Sequence, residues 1–198
     1  MSLLKKLTVR HTATALFLSA LTVLGSASVQ AADKTTSKTA PAQKVSALSN
    51  KFAFTLPAGF IANPLPGGNA SNGTSGAKGT MYTNQQTKTV LIIAENTLPE
   101  GLNVKDNDTV FLDESITGFT AQQREALANF NKQSEKSLTV KGLGLRQVDF
   151  TATQGGGPTL NTSLLAGSGT RMMLIQVISR VDDKAGHAAL VNAILSGK

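Results

Sequence analysis

The amino-acid sequence predicts an α+β fold, with a single antiparallel β-sheet flanked by helices. Between residues 130 and 180, apolar segments recur about every 8–12 residues with glycine at the breaks, as in a meander of antiparallel strands. Segments 107–129 and 183–195 have helical periodicity instead. Because the strands are grouped and do not alternate one by one with helices, the pattern favours an antiparallel sheet over a parallel one.

The first strand is expected at residues 51–57, where three large apolar side chains alternate with smaller residues and Pro57 ends the run. Segment 63–79 is rich in proline and glycine and predicts a long mobile loop. Its Asn-x-Ser/Thr triplets at Asn69 and Asn72 are interpreted as turn-forming residues. Further strands are expected at 80–83, 89–95, 130–140, 144–153, 159–166 and 172–180.

Two of these strands are expected at the centre of the sheet. Residues 90–94 are apolar throughout, and segment 172–178 has large apolar side chains on both faces. A strand that is apolar on both faces needs cover on both sides. The sequence therefore predicts helices on both faces of the sheet.

The first helix is expected to begin at Asp106 or Asp108, either of which can accept hydrogen bonds from free backbone N–H groups. Gly118 and Thr120 are expected to divide it into two helices. The final helix is expected to be capped by Asp182. Its apolar stripe comprises Leu190, Val191, Ile194 and Leu195.

The N-terminus has the pattern of a bacterial secretory signal. Lys5, Lys6 and Arg10 precede an uncharged apolar run, and small residues follow that end in Ala31. The apolar run is shorter than the ~20 residues that span a bilayer, so a retained anchor is the less favoured alternative. We expect cleavage after Ala31 and export to the periplasm.

The expected organisation is a signal peptide at 1–31, a flexible linker at 32–50 and a domain at 51–198. The linker is rich in Thr, Lys, Ala and Ser and has few large apolar residues with which to offset the entropy of ordering. Removal of the signal would lower the formal net charge from +7 to +4, because the signal contains three basic residues and no acidic one.

Composition excludes several classes of protein. There is no cysteine, so disulfides, thiolate metal sites, cysteine nucleophiles and a lipid anchor on cysteine are excluded. The lysines are scattered and aromatic residues make up only 5% of the chain, which argues against nucleic-acid binding.

No catalytic, cofactor-binding or metal-binding residue is predicted. Outside the signal, His187 is the only histidine, and its place beside the apolar stripe of the final helix favours a packed or surface side chain over a general base. The carboxylates most similar to a metal site lie at helix starts, where capping is the better interpretation. They are Asp106, Asp108, Asp113, Glu114, Asp182 and Asp183. The pair Gly142 and Gly144 is interpreted as a turn between strands, not as a phosphate loop.

Surface recognition is harder to exclude from the sequence. Four basic residues from neighbouring strands, Lys141, Arg146, Arg171 and Arg180, would form a binding face if they lay on one side of the sheet. The alternative is a solvated rim of the sheet. The 63–79 loop is a second candidate for partner contact.

Several segments together resemble the DcrB family of enterobacterial envelope proteins. They are Phe52–Pro57 after a low-complexity leader, Val90–Ala94 before the helix, Lys141-Gly142 followed by Gln147-Val148-Asp149, and Met172–Ile178 before the Asp182-Asp183 helix start. The resemblance covers about residues 50–196 and implies a PsbP-like fold. DcrB proteins are typically lipoproteins, but this chain has no cysteine to lipidate, so membrane attachment is not implied.

The resemblance implies a non-enzymatic protein, without cofactor, that acts by contacts with envelope proteins. Two other functions are considered. A carrier would hold a small apolar ligand between sheet and helix. A hydrolase would need a cleft that gathers His187 with carboxylates.

Overall fold

The computed structural model describes residues 39–68 and 76–197. Within these ranges the chain forms nine strands and two helices. In chain order they are β1 (Gln43–Ala47), β2 (Phe52–Leu56), β3 (Ile61–Pro64), β4 (Lys78–Asn84), β5 (Thr89–Thr97), α1 (Thr109–Ala126), β6 (Ala128–Val140), β7 (Leu143–Gln154), β8 (Gly157–Ser168), β9 (Arg171–Arg180) and α2 (Lys184–Ser196).

Seven strands form an antiparallel sheet in the order β3-β4-β5-β9-β8-β7-β6. Strands β6 to β9 are the predicted meander. Strand β5 pairs with β9, although α1 and the other three strands of the meander lie between them in the chain. Strand β9 lies in the middle of the sheet. The central position predicted for β5 and β9 from their apolar faces is therefore confirmed.

The expectation of a single sheet is wrong, because β1 and β2 form a separate two-stranded sheet. Strand β1 lies inside the predicted flexible linker 32–50. It is ordered because Val45 and Ala47 are buried, with Val45 opposite Phe54 in the hairpin. Small apolar side chains at alternate positions are enough to order β1, since the larger residues of β2 supply most of the apolar surface that the hairpin buries.

The sheet is covered on both faces, as predicted. Helix α2 and the β1–β2 hairpin cover one face, which we call the α2 face, and helix α1 covers the other, the α1 face. On β7, Leu145 packs on the α2 face and Val148 on the α1 face. This alternation gives every central strand two buried faces.

Helix α1 is continuous, and the predicted break at Gly118 and Thr120 is wrong. Thr120 and Phe119 are both buried against the sheet, so tertiary packing outweighs their low helix propensity. Asp108 caps the helix by accepting a hydrogen bond from the backbone N–H of Phe111 at 3.1 Å. One of the two predicted caps is thus confirmed.

The cap of helix α2 is Asp183, not Asp182 as predicted. The Asp183 carboxylate accepts a hydrogen bond from the backbone N–H of Gly186 at 3.0 Å. The helix ends at Gly197 in the left-handed conformation, with φ of 61°. Over residues 39–68 and 76–197, neither helix combines the length and hydrophobicity needed to cross a bilayer.

The predicted loop 63–79 is wrong at both ends, because residues 63–64 belong to β3 and residues 78–79 to β4, and the segment between them connects these two paired strands. The two strands pair from Ile61 opposite Thr83 to Pro64 opposite Thr80. Beyond this pairing, the backbone N–H of Leu65 donates to the carbonyl of Gly79 at 3.0 Å. The triplets at Asn69 and Asn72, the signal peptide and the cleavage position all lie outside the described residues.

Candidate functional site

His187 is part of a row of polar side chains on the α2 face, which we call the polar row. It comprises Thr89, Ser179, His187, Thr162 and Asp149. The His187 ring bonds through Nδ1 to Ser179 Oγ and through Nε2 to Thr162 Oγ1, both at 3.0 Å. Thr162 Oγ1 in turn donates to Asp149 Oδ1 at 2.7 Å.

The Asp149 carboxylate sets the direction of these hydrogen bonds. Since the single hydroxyl proton of Thr162 goes to Asp149, Thr162 must accept from His187, which places the ring proton on Nε2. In the neutral ring, Nδ1 carries no proton and accepts from Ser179. The network therefore places the ring proton of a neutral His187 on Nε2.

The pKa values agree with this assignment. Burial lowers the pKa of His187, and the nearby Asp149 and Asp183 carboxylates only partly oppose it. Burial alone would raise the pKa of Asp149, but hydrogen bonds from Ser134, Thr162 and Gln147, with the charge of Lys136, lower it overall. Asp149 is thus ionised where His187 is neutral.

The polar row does not have the geometry of a hydrolytic triad. Both ring nitrogens of His187 bond to hydroxyl groups, and Asp149 reaches the ring only through Thr162. The hydroxyl that a triad would use belongs to Ser179, which is 1% exposed. A substrate has no access to this serine as the structure stands.

The carboxylates that most resembled a metal site have structural partners. Asp106 accepts from Lys51 at 2.7 Å and from Ser168 at 2.6 Å, and hydrogen bonds from Lys51 and then Ser168 lower its pKa. Asp113 bonds to Arg146 at 2.6 Å. In the described part of the chain, no three His, Asp or Glu side chains form a group that could hold a metal ion.

The four basic residues, which would form a binding face if they lay on one side of the sheet, are separated. Arg146 lies on the α1 face, bonded to Asp113, whereas Arg171 bonds to Glu95 at 2.8 Å. Lys141 donates to the carbonyl of Gly197 at 2.9 Å. Arg180 lies at the opposite end of β9 from Arg171, and it lines a cavity.

This cavity, which we call the basic cavity, has a volume of about 210 Å³ at the end of the sheet where β4, β7 and β9 finish. Two apolar side chains, Val90 and Ile178, contribute to its wall. Two cations, Lys88 and Arg180, line it with no acidic residue. Its other lining residues are Thr83, Asn84, Gln85, Thr89, Gln154, Gly155 and Thr159.

The guanidinium of Arg180 is held in place by the β7–β8 turn. Its Nη2 donates to the carbonyl of Gly155 at 3.1 Å. The group also lies over Gly157, where an added Cβ would be 2.5 Å from Nη1. A glycine is therefore needed for the side chain to take this position. Among the residues that the structure describes, no carboxylate pairs with Arg180.

Lys88 is presented by a rigid turn between β4 and β5. The side chain of Asn84 accepts hydrogen bonds from the backbone N–H groups of Gln86 at 3.0 Å and Thr87 at 3.2 Å. Lys88 itself has a positive φ of 54° and an exposed side chain. Gln154 also lines the cavity, with its Oε1 3.0 Å from Thr159 Oγ1, which lies 3.1 Å from the carbonyl oxygen of Ala152 as well. Its buried Nε2 has no partner in the part of the chain that the structure describes.

The architecture matches a solved structure over most of the chain. The solution structure of cyanobacterial PsbP (CyanoP) from Synechocystis sp. PCC 6803 has a TM-score of 0.56 at 10% sequence identity, with 82% of this chain and 96% of that one covered. The fold is PsbP-like. The PsbP-like fold implied by the sequence resemblance is thus confirmed, and at this identity the match shows the fold alone.

A crystal structure of PA94 from Pseudomonas aeruginosa, a protein of unknown function, also matches this PsbP-like chain. The TM-score is 0.44 at 8% identity, with 80% of this chain and 96% of that one covered. No protein-family model and no curated protein matches the sequence.

Sequence reasoning missed both sites in this PsbP-like chain. It treated His187 as one side chain on a helix, whereas Ser179 and Thr162 reach it from β9 and β8. It grouped Arg180 with Lys141, Arg146 and Arg171, whereas Lys88, which lines the same cavity, belongs to a turn 92 residues earlier. The glycines of the β7–β8 turn could have indicated the position of Arg180, since they leave room for its long side chain over the turn.

Proposed function

We propose that the protein is an exported, non-enzymatic, DcrB-like protein of the periplasm that binds envelope proteins through the basic cavity. The observation that supports this best is that Arg180 and Lys88 line one cavity without a carboxylate. Unpaired cations beside apolar surface favour contact with an acidic group on another molecule.

The state of His187 supports a function without catalysis. A general base must lie within hydrogen-bond reach of a substrate or of a nucleophile that a substrate can contact, but the hydroxyls bonded to both ring nitrogens of His187 are buried. The partner hydroxyl of Ser179 is buried. Catalysis by this histidine would require the helix to move away from the sheet.

Export is proposed from the sequence, on the charged, apolar and small-residue segments that end at Ala31. The DcrB-like assignment rests on the segments quoted above, together with the shared PsbP-like fold. The envelope partner is expected to be a protein.

A carrier of a small ligand is the second candidate, because Val90 and Ile178 give the cavity an apolar wall. The place expected for this ligand, between helix and sheet, is less favourable for binding. There, Leu145, Leu164 and Ile175 are fully buried in contact with the helix and hairpin residues. Native mass spectrometry of the purified protein would detect a retained ligand.

Site-specific photo-crosslinking in living cells tests the binding function. A photo-crosslinking amino acid replaces Gln85, an exposed residue of the cavity rim, and in a matched strain replaces Asn103, an exposed residue at the other end of the sheet. We expect a discrete adduct from position 85 that disappears with Arg180→Gln. Equal adducts from both positions, or an adduct unaffected by Arg180→Gln, would contradict the proposal.

A further inference from the structure

We propose that the basic cavity recognises a carboxylate next to a short apolar group, and that this ligand is the C-terminal residue of a protein partner. The inference rests on the proposed binding function and names the chemistry of the same site. Each step depends on side chains that line the cavity.

The charge of the cavity selects an anion, and the geometry of Arg180 favours a carboxylate. A guanidinium is a planar fork that matches the two oxygens of a carboxylate. The Gly155 carbonyl accepts from Nη2 of Arg180 at 3.1 Å and restricts the guanidinium before any ligand arrives. This contact reduces the side-chain entropy that remains to be lost on binding, which favours affinity.

A third polar side chain, Gln154, also lines the cavity. Thr159 Oγ1 lies 3.0 Å from Gln154 Oε1 and 3.1 Å from the carbonyl oxygen of Ala152, so its one proton serves one of these two acceptors. Gln154 Nε2 is buried away from solvent, so a ligand meets Gln154 as part of the wall and meets its charge partners in Lys88 and Arg180.

The size and wall of the cavity limit the rest of the ligand. About 210 Å³ is less than the roughly 300–1,000 Å³ typical of pockets for drug-sized molecules. Val90 and Ile178, which is 5% exposed, offer apolar contact beside the charges. A carboxylate with a few carbon atoms fits this description, and the end of a polypeptide has that chemistry.

A free organic acid has the same chemistry, so the test separates the two sources. Uniformly ¹⁵N-labelled protein, residues 32–198, is titrated with four probes while backbone amide resonances are followed. The probes are N-acetyl-L-valine, N-acetyl-L-valinamide, isovalerate and inorganic phosphate.

We expect N-acetylvaline to shift the resonances of Val90, Gly155 and Ile178. The amide, which has the same apolar group without the charge, should bind about tenfold more weakly or worse. Phosphate should not displace N-acetylvaline. Equal binding of acid and amide, displacement by phosphate, or no shift in these resonances would overturn the inference. Tighter binding of isovalerate than of N-acetylvaline would overturn the peptide end as the source.

Single-residue variants test whether N-acetylvaline binds in the basic cavity. Arg180→Gln and Lys88→Gln should each weaken N-acetylvaline binding by about tenfold, while Lys105→Gln, which removes the same charge from an exposed loop elsewhere, should not. Lys88 is exposed and lies in a turn, so its variant tests the site even if Arg180→Gln is unfolded. A cellular adduct at Gln85 with no probe binding would refute this inference and leave the proposed function standing. Probe binding without a cellular adduct would refute the protein partner and leave only the carboxylate site standing.

Discussion

Thr162 joins His187 to Asp149 through a single hydroxyl, which lies 3.0 Å from His187 Nε2 and 2.7 Å from Asp149 Oδ1. It accepts from a neutral ring and donates to an ionised carboxylate. Because Thr162 is 3% exposed, no solvent can replace it in either bond. This one residue therefore sets both the tautomer of His187 and part of the charge stabilisation of Asp149.

Thr162→Val keeps the shape of the side chain and removes this hydroxyl. The variant should lose about 2 kcal/mol of unfolding free energy, because Asp149 loses a charge-assisted bond and His187 Nε2–H loses its acceptor. Urea denaturation monitored by circular dichroism measures the loss. Thr139→Val, at an exposed position of β6, is the control and should be nearly neutral. Equal stability of the Thr162→Val variant and the wild type would contradict the assigned network.

The lowered pKa of His187 predicts a stability that falls in mild acid. The folded pKa is below the ordinary value of 6.5, so the unfolded chain binds more protons in the interval between the two values. The unfolding free energy should therefore decrease as the pH falls through 6.5 toward the folded pKa. Asp149 and Asp183, which face the ring, reduce this effect without reversing it.

Denaturation at a series of pH values, compared with His187→Gln, isolates this contribution. The variant should show a shallower fall just below pH 6.5. Both proteins should still lose stability as the pH falls below 3.8, because the pKa of Asp149 is lowered and its ionised form is then lost. Parallel curves in mild acid would show that the histidine contributes nothing.

Gly167 allows Phe111 of α1 to pack directly on β8. A Cβ at this position would collide with the Phe111 ring and lie 3.0 Å from Val104. Gly167→Ala should therefore destabilise the protein by about 1–3 kcal/mol through overpacking, read as a lower urea midpoint. Gly67→Ala, with nothing within 4 Å of the added carbon, is the control. Equal midpoints for the two variants would contradict the packing described.

Export predicts a mature protein that begins at Ala32. Intact-mass spectrometry of the protein from a periplasmic fraction should give the mass of residues 32–198. Full-length protein recovered only from the cytosol would contradict export and the proposed site of action.

The strands were predictable where hydrophobic period alone determines them. The two apolar faces of β9 placed it at the centre of the sheet, and alternation at Phe52, Phe54 and Leu56 located β2. Strand β1 was missed because its stability comes from its partner: Val45 is buried only when Phe54 lies opposite. A composition rich in Lys, Ser and Ala predicts disorder when such a partner is not considered.

The candidate site was less predictable, because it depends on register and turn geometry. Thr162 lies opposite Val177 on β9 and beside Asp149 on β7, and neither pairing can be derived from local sequence. The position of Arg180 depends on the carbonyl of Gly155. A sequence shows that these residues are present but not which of them meet.

The central claim is that the basic cavity is the binding surface, and the affinity of the captured partner tests it most directly. Isothermal titration would compare the partner's dissociation constant for the wild type, Lys88→Gln, Arg180→Gln and Lys105→Gln. The account predicts about tenfold weaker binding for the two cavity variants, unchanged binding for Lys105→Gln, and an affinity that falls as salt is added. The same dissociation constant for all four proteins would contradict it.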